Sequence, residues 1–75
     1  MISNETKESA FRRLASKRLN KAVKSLRLIG NLSNKNNYGY RKSDVKIIFS
    51  ALEKELRMSK MKFSMNIENN DEIKL

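Results

Sequence analysis

Residues 11–29 read FRRLASKRLNKAVKSLRLI, and the spacing inside that stretch decides the fold class. Phe11, Ala15, Leu19, Ala22, Leu26 and Ile29 recur at intervals of 4, 4, 3, 4 and 3, the period of one face of an α-helix, and Leu14 widens the stripe. With Phe11 at 0° and about 100° per residue, the apolar positions fall between roughly 300° and 80°. Arg13, Lys17, Lys21, Lys24 and Arg27 fall on the opposite side, between roughly 160° and 280°. A helix from about residue 5 to 29 follows, apolar on one side and cationic on the other. Beyond Glu8 it holds no acidic residue, so no Glu–Lys pair within the helix offsets the cationic face. Asn4 or Thr6 is placed to cap its start, Glu5 and Glu8 lie near the positive end of its dipole, and Gly30 is placed to end it in a left-handed conformation.

Working outward, Asn31 to Lys42 reads NLSNKNNYGYRK, which has no apolar period and is rich in residues that favour turns and left-handed backbone; it is read as a connector, 30–42. A second helix is expected at about 44–64, with Ser43 as N-cap and Asp44 in the first helical position. Its apolar face is Val45, Ile48, Phe49, Leu52, Leu56 and Phe63, and Glu53 stands four residues before Arg57 as a surface ion pair. On the other side Ile47, Ala51, Lys54, Met58, Met61 and Met65 are spaced 4, 3, 4, 3 and 4, a heptad-like second stripe with one Lys in it. Residues 65–75 carry three acidic residues and one Lys without a sustained period, and are read as a flexible acidic tail.

The fold class is therefore all-α. Two helices joined by a connector of this length form, most simply, an antiparallel hairpin over residues 1–64 that buries 11/15/19/22/26/29 against 45/48/49/52/56/63. A 75-residue chain is one domain at most, and a core of that size supplies no more than roughly 3–5 kcal/mol. With no Cys for a disulfide, the remaining support is association: dimerisation through Ile47, Ala51, Met58, Met61 and Met65 into a four-helix bundle, or docking on a partner.

Composition narrows the chemistry. Without Cys or His the chain lacks the thiolate and imidazole ligands of zinc, copper, iron–sulfur and haem sites, and no metal or cofactor is expected. Glu53 and Glu55 point to different sides of their helix, roughly 200° apart, so they make no carboxylate pair. No phosphate loop, EF-hand or zinc-finger spacing occurs, and a non-enzymatic protein is expected. Residues 1–8, MISNETKE, hold no apolar run for a signal peptide or membrane span, which points to a cytoplasmic protein with no membrane contact.

Lys and Arg number 17 against 8 Asp and Glu, a net +9. Residues 1–44 hold eleven of the basic and three of the acidic residues, a net +8, so the excess charge belongs to the first half. Like charges on one helix face repel, and an external polyanion relieves that repulsion. The expected function is sequence-tolerant nucleic-acid binding through Arg13, Lys17, Lys21, Lys24 and Arg27. Tyr38, Tyr40, Arg41 and Lys42 of the connector supply stacking and phosphate contacts. A Tyr there also suits a lid on the hairpin core, with its hydroxyl left in water. The alternative is a small regulator or inhibitor that docks the same basic face on an acidic protein surface. The connector is too long for the three-to-four-residue turn of a helix–turn–helix domain.

Overall fold

The computed structural model describes residues 5–70, with side-chain exposure for residues 5–67. It is all-helical: α1 runs Lys7–Gly30, a 3-10 turn follows at Asn31–Ser33, α2 runs Lys42–Asn70, and the described residues contain no strand. The chain divides into two units, Met1–Gly39 with α1 and Tyr40–Leu75 with α2.

The α1 helix starts where Thr6 leaves the helical region at φ −83°, ψ 169°. Its hydroxyl oxygen accepts from the Ser9 amide at 3.0 Å, and the Ser9 hydroxyl oxygen accepts from the Thr6 amide at 3.0 Å. This reciprocal cap satisfies two amides that no helical carbonyl reaches. Of the two candidate caps, Thr6 therefore takes the role; Asn4 lies outside the described residues. At the other end the left-handed Gly30 expected from sequence does not occur. Gly30 sits at φ −59°, ψ −32°, and no described residue has positive φ. The Asn31 amide still bonds to the Arg27 carbonyl, so the chain tightens into the 3-10 turn instead of reversing hand. Asn34 then closes the next turn. Its side-chain oxygen accepts from the Asn36 amide at 3.0 Å, while its carbonyl accepts from the Asn37 and Tyr38 amides.

The α2 helix begins at Lys42, two residues earlier than expected, so Ser43 lies inside it and is not its cap. Arg41 precedes the first turn, its carbonyl accepting from Val45 at 3.3 Å, and Asp44 reaches back to accept from the Arg41 amide at 2.8 Å. The Asp44 carboxylate thus satisfies the amide of the residue ahead of the helix, the half of a capping box that the third residue supplies. The Glu53–Arg57 ion pair is not formed, as expected of an exposed contact worth only a few tenths of a kcal/mol. Helix also replaces the first part of the expected tail, running six residues past Ser64 to Asn70. That segment has no Pro or Gly to stop it, and the Asn66 side-chain amide donates to the Lys62 carbonyl at 2.9 Å. Residues 71–75, the rest of the expected tail, lie outside the described residues.

No described side chain is buried. Among the described residues, only Ala10, Leu14, Ala15 and Ile29 of the first unit and Tyr40 and Ile48 of the second are partly covered. Of the apolar residues assigned to a hairpin core, Leu19 and Leu26 on α1 and Phe49 and Leu56 on α2 are exposed. A lone helix covers little of its own apolar face and needs a second surface to do so.

Candidate nucleic-acid interface

Because α1 is unbroken from Lys7 to Gly30, the spacing of its cations becomes a surface. Arg13, Lys17, Lys21, Lys24 and Arg27 are all exposed along one side. Between Arg13 and Arg27 the helix rises about 21 Å at 1.5 Å per residue. Among the described residues, no side-chain hydrogen bond or ion pair engages Lys17, Lys21, Lys24 or Arg27.

Arg13 differs. Glu5, just ahead of the cap, accepts from its Nε at 2.9 Å and from a terminal guanidinium nitrogen at 3.3 Å, a two-pronged contact across eight residues. That hydrogen bond, and then the charge behind it, push the already high pKa of the guanidinium higher still. Arg13 stays cationic under all ordinary conditions, but its fork is occupied. Glu8 approaches Arg12 at 3.9 Å, an exposed pair on the flank of the face.

Sequence reasoning missed Asn20. Arg13, Lys17, Asn20, Lys24 and Arg27 are spaced 4, 3, 4 and 3, so an exposed amide sits in the middle of the cationic row. The regular spacing of these polar residues was the available signal. Leu28 was also passed over: it lies at roughly 260° on the same wheel, among the lysines, and is 58% exposed.

Tyr38 belongs to the first unit and is exposed, whereas Tyr40, partly covered, opens the second. Arg41 and Lys42 stand at the start of α2, where the helix dipole disfavours cations and Asp44 offsets them. The seam residues Ile47, Ala51, Met58, Met61 and Met65 are exposed on α2.

No family model, curated protein or solved structure matches this chain. The functional reading therefore stands on the geometry alone. No described helix is long and apolar enough to cross a membrane.

Proposed function

We propose that this protein is a small, non-enzymatic, cytoplasmic nucleic-acid-binding protein that uses the cationic face of α1. The observation that carries the reading is the exposed set Lys17, Lys21, Lys24 and Arg27 on one continuous helix, with no acidic residue after Glu8 to neutralise it. Lysines act on phosphates as point charges and carry no base information, so the binding is largely tolerant of sequence. Tyr38, Tyr40, Arg41 and Lys42 add auxiliary contacts.

In this reading the open apolar stripes close on one another as an antiparallel hairpin, and two hairpins join through the Ile47–Met65 seam of α2 as a four-helix bundle. The support is that Val45, Phe49 and Leu52 on one side of α2, and Ile47, Met58 and Met61 on the other, are all exposed in the single chain. A helix apolar on two sides is normally covered on two sides.

One observation favours a second reading, in which the same face docks on an acidic protein. Leu28 is exposed amid the lysines, and apolar contact ringed by cations suits a protein surface better than a phosphate backbone.

A pull-down with and without nuclease separates the two. Copurifying material that absorbs at 260 nm and is lost after nuclease and high salt supports nucleic-acid binding. A stoichiometric protein that survives nuclease overturns it in favour of the second reading.

A further inference from the structure

We propose that the second apolar stripe of α2 takes a second copy of this chain in antiparallel orientation, paired about a two-fold axis at the level of Leu56. The stripe is Ile47, Ala51, Lys54, Met58, Met61 and Met65, all exposed, with Ile47 at 68% and Met65 at 64%. Because α2 continues to Asn70, Met65 lies within regular helix and completes the row.

The order of residues along the row selects the polarity. Read from both ends toward Leu56, it pairs Ile47 with Met65, Ala51 with Met61 and Lys54 with Met58. In the antiparallel arrangement every small or charged position therefore faces a long, adaptable Met. The Met61 side chain fills the space that Ala51 leaves, and the Lys54 stem lies along Met58 while its ammonium reaches water. A parallel, in-register pair sets Ala51 against Ala51, which leaves a hole, and Lys54 against Lys54, which brings like charges together.

The flanks agree in part. On one edge the two Glu55 residues approach near the axis, each with Lys62 of the other copy about 7.5 Å farther along the axis to offset it. On the other edge the two Arg57 residues approach near the axis, each with Glu53 one turn earlier on its own helix to offset it. A parallel pair instead aligns Arg57 with Lys62 twice.

The proposal rests on the self-association in the preceding reading and is independent of its ligand. The chain has no cysteine, so introduced ones report without interference. Ala51→Cys and Met61→Cys are made separately, their helicity is checked by circular dichroism, and each is oxidised alone and then as an equimolar mixture. The antiparallel pair places residue 51 of the two copies about 15 Å apart along the axis, well beyond the roughly 4.4–6.8 Å Cα separation of a disulfide. Each variant alone then stays uncrosslinked on a non-reducing gel, and the mixture gives the mixed dimer. Crosslinking of each variant with itself overturns the antiparallel polarity while leaving self-association intact. Absence of any crosslink overturns the seam. Light scattering of the wild-type chain supplies the variant-free check: twice the 8.8 kDa chain mass is expected, and the single-chain mass at high concentration overturns self-association itself.

Discussion

Glu5 holds the Arg13 guanidinium through both carboxylate oxygens, at 2.9 and 3.3 Å, from a position outside the helix that carries Arg13. The contact withdraws one cation from a face whose other members point freely into solvent. It therefore acts against binding of any polyanion by that face, which must compete for the fork.

Glu5→Gln is expected to tighten nucleic-acid binding a few-fold and to steepen the log–log dependence of affinity on salt by up to about 1, the contribution of one added phosphate contact. The Thr6–Ser9 cap does not involve the Glu5 side chain and keeps the helix start intact. Titrations of both proteins at several salt concentrations test this; unchanged affinity and slope would show that Arg13 does not contribute to the interface.

Replacing Arg13, Lys17, Lys21 and Lys24 together with Gln keeps helix propensity and leaves the apolar stripe untouched. Binding should collapse and the slope, about −3 to −5 for duplex DNA in the wild-type chain, should flatten. Melting temperature should hold or rise slightly as repulsion is relieved. The comparison is Lys60→Gln with Lys62→Gln on α2, which should do much less. Equal losses from the two sets mean undirected charge attraction, and full binding by the α1 variant sinks the nucleic-acid assignment.

Gly30→Ala should stabilise the first unit by about 0.5–1 kcal/mol, because Gly30 is right-handed and a methyl group there meets nothing within 4 Å. Higher helicity and a raised melting temperature are expected in circular dichroism. A residue that needed positive φ would respond with the opposite sign.

Leu19→Asp and Leu52→Asp test whether the open stripes are covered in solution. In the single chain Leu19 is 63% and Leu52 37% exposed, where an Asp costs little beyond its helix propensity, about 0.5 kcal/mol. Once the stripes pair, each buries an unpaired charge, and both variants should lose most of their helicity and cooperative melting. Full helicity with unchanged melting in both would refute the hairpin.

The two helices, the region between them and the cationic side of the first were legible without coordinates, because each is written in local spacing. A 3.6-residue period states which side chains share a face, and the loss of that period between Asn31 and Lys42, with Gly30 just before it and Gly39 inside it, marks the break. The same locality made Ser43 and Gly30 poor guides. Ser43 is able to cap a helix, but whether it does so depends on whether the chain turns in before Lys42 or after it. Gly30 permits a left-handed ending without requiring one, and the Asn31 amide found the Arg27 carbonyl instead.

By itself, then, the sequence determined that this protein is two amphipathic helices with its positive charge gathered on the first, since periodicity and charge are properties of residues a few positions apart. The three-dimensional structure decided what spacing does not encode: that Thr6 and Ser9 lock the first turn, that Glu5 reaches across eight residues to occupy Arg13, and that α2 continues to Asn70 and carries Met65 and Ile67 into line with its stripes. Each of these depends on the path of the backbone at a helix end, where several sets of hydrogen bonds compete within about 1 kcal/mol and only the realised geometry shows which one prevails.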